Sequence, residues 1–245
     1  MRERLDLRIV RDNPGVSRSA AQALVMAGEV RVNGQIERKA SRPVDASDIV
    51  QLAAKQRFVS RGGEKLEGAF AAFPSWNVEG MVCLDVGSST GGFTDCLLQH
   101  GAMRVMAIDV GTNQLAWSLR SDPRVWVREN FNARYMTPAD LPAVPQRAVT
   151  DVSFISLKLI LPPMTSVLAP GGEIVSLVKP QFEVGKGLAP GGLVSDPALR
   201  QAAVDGIVDF GKTELHLELL GLAESPIKGR DKGNVEYLAY WRKPA

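Results

Sequence analysis

Two apolar segments in the middle of the chain share one pattern: each ends in Asp-Val-Gly and is followed by a segment with helical periodicity. They are "MVCLDVG" at 81–87, before "FTDCLLQHG", and "RVMAIDVG" at 104–111, before "NQLAWSLRS". Three further segments, "VWVREN", "RAVTDVSF" and "EIVSLVKP", are also apolar and then polar at their C-terminal ends. Short buried strands that alternate with helices predict a mainly parallel sheet with helices on both faces.

Polar residues stand at the predicted carboxyl ends of these strands. Asp85, Asp109, Asn130, Asp151 and Lys179 occupy those positions. Ligands of open α/β sheets bind beyond the carboxyl ends of the strands, so we expect these five side chains to line one site. Any one acid could instead cap a helix or lie in a turn. Two acids that end consecutive strands around a glycine-rich loop favour a site.

The loop after the first strand narrows the choice of cofactor. It reads Asp85-x-Gly87-x-x-x-Gly91-Gly92, which differs from the G-x-G-x-x-G pattern of dinucleotide-binding folds. An acid at the mouth of the loop repels a pyrophosphate and favours an amine or a sulfonium. The loop therefore favours S-adenosylmethionine over NAD, with Asp109 accepting hydrogen bonds from the cofactor ribose. The predicted cofactor-binding residues are Asp85, Gly87, Ser89, Gly91, Gly92, Phe93, Asp109, Asn130, Phe131 and Asp151.

The N-terminal segment has a different pattern and predicts a small α+β module. "SRSAAQALVMAG" at 17–28 predicts a helix capped by Ser17 or Ser19 and ended by Gly28. "EVRVNGQIERKA" follows, and Asn33-Gly34 between two alternating segments predicts a type I′ hairpin. "DIVQL" adds another short strand.

Basic charge is concentrated in this module. Residues 1–57 hold eleven Arg and Lys against seven Asp and Glu, whereas the whole chain has a net charge of only +2. A basic module on a near-neutral body favours binding of a polyanion through its phosphates. A solvated basic surface and a protein-docking module are the alternatives. The predicted RNA-binding residues are Arg8, Arg11, Arg18, Arg31, Arg38, Lys39 and Arg61.

Other features exclude several classes of protein. The only cysteines, Cys83 and Cys96, cannot form a disulfide framework or a four-thiolate metal site, and both are predicted to fill the core. We expect no bound metal. "MRERLDLRIV" lacks the apolar region of an export signal, and no uncharged run reaches the ~18 residues of a membrane helix. We therefore expect a cytoplasmic protein.

The motifs support a family resemblance. At "LDVGSSTGGFTD", "AIDVG", "DVSFISL", "VKPQFE" and "GNVEY" the sequence resembles the hemolysin-A (TlyA) family, which belongs to the FtsJ-like ribose methyltransferases. Residues 3–52 resemble the alpha-L RNA-binding fold found in a small-subunit ribosomal protein. Together these resemblances cover nearly the whole chain. They imply S-adenosylmethionine-dependent 2′-O-methylation of ribosomal RNA at cytidine.

The resemblance also implies a catalytic tetrad. FtsJ-like enzymes share a Lys-Asp-Lys-Glu set, and its motif positions fall on Lys65, Asp151, Lys179 and Glu236. A ribose 2′-hydroxyl is a poor nucleophile and must lose its proton as it attacks the methyl group. We expect Lys179 to activate it, with Lys65 close enough to disfavour the charged form of Lys179. We expect Asp151 to orient Lys179, and Glu236 to position Lys65 or the hydroxyl.

Three neighbouring residues compete with this assignment. Glu183 and Glu224 also stand near plausible loops and compete with Glu236 for the acidic role. Lys186 competes for binding of a phosphate. The glycines at 62 and 63 would let the chain bend and pass close to RNA.

These observations predict an α/β protein with a Rossmann-like methyltransferase fold and a small N-terminal α+β RNA-binding domain. The predicted boundaries are 1–54 for the RNA-binding domain, 55–64 for a linker and 65–245 for the methyltransferase domain. One alternative is a non-catalytic ribosome-assembly factor that keeps the fold, which the complete tetrad disfavours. Another is a membrane-active hemolysin, for which the sequence offers no membrane segment.

Overall fold

The computed structural model describes residues 2–53, 57–185, 187–229 and 232–245. Lys55 and Gln56 of the predicted linker, and Lys186, lie outside these ranges. The chain divides into two compact units, residues 1–56 and 57–245. Each unit has its own hydrophobic core, so each is described separately.

Over residues 2–53, the first unit has two helices and five short strands. β2, β3 and β5 form an antiparallel sheet in the order β3-β2-β5, and β1 pairs with β4. The elements are β1 (Glu3–Arg4), α1 (Leu5–Asp12), α2 (Arg18–Ala27), β2 (Val30–Val32), β3 (Gln35–Ile36), β4 (Pro43–Val44) and β5 (Val50–Leu52).

Local sequence signals decide the ends of these elements. Ser17 caps α2 through its hydroxyl, which accepts from the Ala20 backbone N–H at 3.2 Å. Gly28 ends the helix in the left-handed region at φ 79°. Asn33 and Gly34 both have positive φ, which is the geometry of a type I′ turn between β2 and β3. The predicted helix and hairpin are therefore confirmed.

The second unit is a layered α/β structure. Its elements are α3 (Gly62–Ala72), β6 (Val82–Val86), α4 (Gly92–Gln99), β7 (Arg104–Ile108), α5 (Trp117–Arg120), β8 (Val125–Arg128), β9 (Arg147–Thr150), α6 (Leu161–Val167), β10 (Glu173–Val178), α7 (Pro180–Glu183), α8 (Pro197–Thr213), β11 (Glu218–Glu224) and β12 (Tyr237–Arg242). Short 3₁₀ turns stand at Ala133–Tyr135, Pro138–Asp140, Leu157–Leu159 and Pro190–Gly192.

Seven strands form one sheet in the order β11-β12-β10-β9-β6-β7-β8. The pairs among β10, β9, β6, β7 and β8 are parallel, whereas β12 runs antiparallel to both β10 and β11. The chain order reverses direction between β6 and β9, where a doubly wound sheet opens a crevice. The predicted Rossmann-like α/β class is confirmed.

Two buried clusters cover the sheet. One holds side chains of α3 and α4, including Leu66 and Leu97, and the other holds side chains of α6 and α8, including Met164 and Ile207. β10 is buried along its whole length, as expected of a central parallel strand. The carboxyl edge of the sheet is thereby held rigidly between two packed layers.

The structure differs from the predicted linker at its C-terminal end. Residues 62–64 form the first turn of α3 and belong to the second unit. Gly63 permits this packing because a Cβ at that position would overlap the buried Phe58 ring. Gly63 therefore serves close packing of this helix, and the bend toward RNA that the sequence suggested stays a prediction.

We predict opposite effects of adding one methyl group at two glycines of α8. Gly206 faces open space, so Gly206→Ala should stabilise the protein by up to ~1 kcal/mol through helix propensity. A Cβ at Gly211 would lie 2.7 Å from the Trp241 ring, so Gly211→Ala should destabilise it by ~1–3 kcal/mol. Urea unfolding of both variants measures this, and equal effects would contradict the packing described.

Candidate active site

Four charged side chains meet at the carboxyl edge of the sheet. Asp151 directly follows β9 and Lys179 directly follows β10. Glu236 precedes β12, which is antiparallel, and the register Val178–Tyr237 brings its start beside the end of β10. Lys65 arrives from α3. The four predicted tetrad residues thus come from four separate elements.

These side chains form one continuous chain of ion pairs. Lys179 Nζ lies 2.5 Å from Asp151 Oδ1, and Lys65 Nζ lies 3.5 Å from Asp151 Oδ2. Lys65 Nζ also donates to Glu236 Oε2 at 2.7 Å. Asp151 therefore pairs with both lysines, and a carboxylate stands between the two ammonium groups.

The cluster is largely withdrawn from water. The side chains of Lys179 and Lys65 are 8% and 12% exposed, and that of Glu236 is 3% exposed. Buried charges are tolerated when they are paired, and two carboxylates here balance two ammonium groups. Glu183, the predicted competitor, instead accepts from the Leu157 N–H and the Ser156 hydroxyl and caps a 3₁₀ turn. Burial raises the pKa of Glu183.

The glycine-rich loop packs directly against this cluster. A Cβ at Gly87 would lie 2.9 Å from a methyl carbon of Val152 and 3.3 Å from the Asp151 carbonyl oxygen. A Cβ at Gly92 would lie 2.7 Å from the Gly63 backbone nitrogen, so α4 and α3 touch at their first turns. Because Gly63 and Gly92 lack side chains, the backbone at the end of the loop touches that of α3, the helix that carries Lys65.

Asp109 organises the cleft beside the loop. Its Oδ2 accepts from the Ser89 backbone N–H at 2.8 Å, and its Oδ1 accepts from the Gly111 N–H at 2.7 Å. A carboxylate has about four acceptor positions, so two remain for a ribose. Ser89 and Asn130 are held at φ 48° and 54° around this cleft. Such non-glycine residues in the left-handed region concentrate at functional sites.

Asp85 is placed differently from the sequence expectation. β6 continues through Val86, so Asp85 lies inside the strand with no exposed surface. Its Oδ2 accepts from the Thr94 hydroxyl at 2.6 Å, which ties β6 to α4. Burial, which is the main cause, raises the pKa of Asp85 to about 7, and nearby Asp151 adds to the effect. Asp85 therefore supports the loop from behind.

Two predicted aromatic contacts also have packing roles. Phe93 is buried in the cluster between α3, α4 and the sheet. The Phe131 ring packs at the edge of the other cluster and lies 3.9 Å from the Arg128 guanidinium carbon. β8 ends at Arg128, so Asn130 and Phe131 lie in the loop beyond it. Asn130 Oδ1 accepts from the Thr112 hydroxyl at 2.6 Å in that loop.

The structure adds two residues that sequence reasoning missed, Ser153 and Phe154. The Ser153 hydroxyl accepts from Lys179 Nζ at 2.8 Å. Phe154 is 89% exposed, has φ 64°, and its ring centre lies 5.2 Å from that of Phe182. The only signal in the sequence was their position immediately after Asp151 in "DVSF", which says nothing about where either side chain points.

The predicted RNA-binding residues fall into two groups. Arg11 and Arg18 make ion pairs within their own unit, Arg11 with Glu3 and Arg18 with the buried Asp6. Arg8 pairs with Asp12 in the same way.

The basic side chains of the other group form no ion pair with a carboxylate of the described residues. Within the described residues, Arg31, Arg38, Lys39 and Arg61 have no carboxylate within 4.0 Å. Arg31 and Arg38 donate only to backbone carbonyl oxygens, and Lys39 is exposed. Arg61 is exposed at the start of α3 and donates to the Lys228 carbonyl oxygen at 3.4 Å.

Three potential metal ligands lie within 4.8 Å of one another between α3 and α4. They are Glu67, Cys96 and His100. Glu67 already pairs with Arg57 at 2.6 Å and with His100 Nε2 at 2.8 Å. Burial raises the pKa of the Cys96 thiol, which favours its protonated form. An ion pair, hydrogen bonds and packing therefore account for this trio.

Comparison with known families agrees with this geometry. The model of the FtsJ-like methyltransferases matches residues 58–243, and that of the S4 domain matches residues 3–50. The chain belongs to the FtsJ-like methyltransferase family. Within that family it groups with the TlyA, or hemolysin A, proteins.

Three relatives illustrate the similarity of this FtsJ-like protein. The 16S/23S rRNA (cytidine-2′-O)-methyltransferase TlyA of Mycobacterium tuberculosis is 45% identical over 244 residues, covering 98% of this chain and 90% of the relative. Hemolysin A of Brachyspira hyodysenteriae is 42% identical over 244 residues, covering 97% and 99%. A solved structure from Streptococcus thermophilus, described as a candidate hemolysin, is 42% identical with a TM-score of 0.76, covering 99% and 89%.

The name hemolysin raises the question of a membrane segment in this FtsJ-like protein. Among the helices of the described ranges, none combines the length and the apolar character needed to cross a bilayer.

The cleft of the FtsJ-like domain fits S-adenosylmethionine, the cofactor of these methyltransferases. A Cβ at Gly87 would meet Val152, and one at Gly91 would meet Leu115 and Leu119, so the loop needs glycine to pack as it does. Asp109 offers free acceptor positions beside the loop, which suit ribose hydroxyls. The residues beside the loop therefore match a ligand that carries a ribose.

We predict that Asp85 makes the stability of the FtsJ-like protein depend on pH. Its carboxyl ionises near ~3.9 in the unfolded chain but at about 7 in the folded one. Its contribution is therefore fully present below pH ~4, and is lost as the pH rises toward 7. At about 1.4 kcal/mol per pKa unit, the loss is at most ~4 kcal/mol.

Asp85→Asn keeps an acceptor for Thr94 but cannot ionise. The stability of the variant relative to the native protein should therefore rise between pH 4 and 7 and then level off, as measured by urea unfolding. Asp205→Asn, at an exposed position of α8, serves as the control and should show a constant difference. A constant difference for Asp85→Asn as well would contradict the placement of a buried ionisable group.

Proposed function

We propose that this protein transfers a methyl group from S-adenosylmethionine to the 2′-hydroxyl of a cytidine ribose in ribosomal RNA. The observation that carries the proposal is the paired chain Lys179–Asp151–Lys65–Glu236 beside the glycine-rich loop. The TlyA relative of Mycobacterium tuberculosis acts on cytidine in 16S and 23S rRNA, which supports the substrate class. An rRNA substrate also favours activity in the cytoplasm.

When bound, the cofactor supplies an electrophilic methyl group on its sulfonium. The protein must place a 2′-oxygen in line with that methyl group and remove the hydroxyl proton. Lys179, at the end of β10, pairs with Asp151, whose backbone packs against Gly87 of the loop. As a neutral amine, Lys179 accepts this proton. With its proton on Lys179, the 2′-oxygen would take the methyl group that the bound cofactor supplies, and the cofactor sulfur would keep the electrons of the sulfur–carbon bond. Much of the rate comes from holding the two reactants in this alignment.

Asp151 orients Lys179 and also neutralises Lys65. The Asp151 carboxylate stands between the two lysines and pairs with both of them. Lys65 is held by both Asp151 and Glu236, so it acts as a fixed positive charge for the ribose or its phosphate. Glu236 is in turn contacted by Gln181 Nε2 at 3.5 Å.

Phe154 supports an RNA substrate at this edge. An aromatic ring that is almost fully exposed three residues after Asp151 gives a face on which an unstacked base can lie. Holding a bulky residue in the left-handed region costs ~1–3 kcal/mol, and such strain persists where function requires it.

We predict that Lys179→Ala lowers the single-turnover rate of methyl transfer by about 100-fold or more while the protein stays folded. The measurement is transfer of labelled methyl to purified 30S and 50S subunits, followed by digestion to identify 2′-O-methylcytidine. Lys212→Ala, which removes an exposed lysine of α8, is the control and should keep full activity.

The outcomes separate the possible functions. Label on 2′-O-methylcytidine with the native protein and its loss with Lys179→Ala would support the proposal. Equal label with both proteins would contradict the role of Lys179. No label with the native protein on either subunit, with cofactor binding intact, would favour a ribosome-assembly factor instead.

The N-terminal S4 unit supplies the second part of the proposal, binding of structured RNA through phosphates. We predict that Arg38→Gln weakens RNA binding and lowers the slope of log Kd against log salt concentration by about 1. Arg11→Gln should change that slope less, because Arg11 is already paired with carboxylates. Filter binding of the full chain to a ribosomal RNA fragment between 50 and 300 mM salt, on the order of the range in which such contacts are lost, measures both. Equal slopes for the two variants would contradict the division of the basic residues.

A further inference from the structure

Two oxygens lie close to Lys179 Nζ, and only one of them belongs to the tetrad. Asp151 Oδ1 makes an ion pair with it at 2.5 Å without hydrogen-bond geometry, whereas the Ser153 hydroxyl oxygen accepts a hydrogen bond from it at 2.8 Å. These two oxygens come from the same short segment, one on each side of Val152. Both are therefore placed by the backbone that leaves β9.

The Ser153 hydrogen bond restricts rotation of the Lys179 amine. A neutral amine has two N–H bonds and one lone pair, whereas the ammonium has three N–H bonds and no lone pair. If one N–H bond points to Ser153 and the Asp151 carboxylate attracts the other, rotation about the Cε–Nζ bond is fixed and the lone pair has a single direction. With Asp151 alone, the second N–H and the lone pair can exchange places.

We propose that Ser153 is a positioning residue that aims the Lys179 lone pair at the ribose 2′-hydroxyl. This inference rests on the proposed methyl transfer. Ser153 does not itself take the proton. The proton leaves the 2′-oxygen and binds Lys179 Nζ, which converts the amine to the ammonium. The new N–H uses the electron pair that Ser153 and Asp151 had oriented.

The segment that carries Ser153 is held on both sides. Val152 packs against Gly87 of the cofactor loop, where a Cβ would approach it to 2.9 Å. Phe154 is fixed in the left-handed region at φ 64°, and its ring contacts that of Phe182 in α7. Lys179 Nζ lies 5.9 Å from the centre of the same Phe182 ring. The strained turn and α7 thus hold the hydroxyl and the amine in one frame.

Ser153 is an uncharged hydrogen-bond acceptor among the groups near Lys179. The charged groups are Asp151 after β9, Lys65 of α3, which pairs with Asp151, and Glu236 before β12, which pairs with Lys65. Removal of the Ser153 hydroxyl should therefore leave the charges of the cluster in place and reduce the alignment of the amine.

The test is the rate of single-turnover methyl transfer, at saturating cofactor, to the ribosomal subunit that the native protein methylates. Ser153→Ala should reduce this rate by roughly 5- to 50-fold, since misalignment of a base costs about this much. Binding of S-adenosylmethionine and of RNA should stay within about twofold, because Ser153 acts through Lys179.

Two further variants make the result specific. Ser153→Thr keeps a hydroxyl and should restore most of the native rate. Ser166→Ala removes an exposed serine hydroxyl of α6 and should leave the rate unchanged.

Each outcome decides the matter. A lower rate with unchanged binding in Ser153→Ala, restored in Ser153→Thr, supports the positioning role. A native rate in Ser153→Ala, a loss of rate that comes with weakened binding, or no recovery in Ser153→Thr overturns it while the proposed methyl transfer stands. If the native protein transfers no methyl group to either subunit, the proposed function itself fails, and the inference fails with it.

Discussion

The shared carboxylate of Asp151 is the interaction on which the candidate site depends. It pairs with Lys179 at 2.5 Å and with Lys65 at 3.5 Å, and both lysines are largely buried. Two ammonium groups this close would repel each other and lose hydration without it. Because Asp151 follows β9 directly, its position is set by the ladder that joins β9 to β6 and β10. The geometry of the charged chain is therefore a consequence of strand order.

Close backbone contacts connect this charged chain to the cofactor loop. Gly87 lies against the Asp151–Val152 segment, and Gly92 lies against Gly63 at the start of the helix that carries Lys65. Any side chain at these positions would push apart the groups that must meet during methyl transfer. Buried Asp85 reinforces the same region by accepting the Thr94 hydroxyl, at the cost of a carboxyl whose pKa burial raises to about 7. The same packed contacts therefore position both the loop and the charged side chains.

Much of this arrangement could be predicted from local sequence. Alternating apolar segments and helical patterns predicted the parallel sheet, and Asn33-Gly34 predicted the hairpin, since both depend on near neighbours in the chain. The predicted last residues of two strands, β6 and β8, were wrong. β6 continues past Asp85 and β8 ends before Asn130, so Asp85 faces the interior and Phe131 packs beside Arg128. A shift of one residue reverses the direction of a strand side chain, and sequence patterns do not resolve it.

By itself, the sequence determined the fold class, the two modules and the residues able to carry the chemistry, because periodicity, turn residues and motifs are local properties. Only the tertiary structure decided which partner each charge has. It paired Lys65 with Glu236, 171 positions away in sequence, and gave Lys179 a hydrogen-bond acceptor in Ser153. It also paired Arg11 with the Glu3 carboxylate, whereas Arg38 donates to the Met26 carbonyl oxygen and forms no ion pair among the described residues. Ion pairs and hydrogen bonds require contact in space, and contact follows from strand order and packing rather than from spacing along the chain.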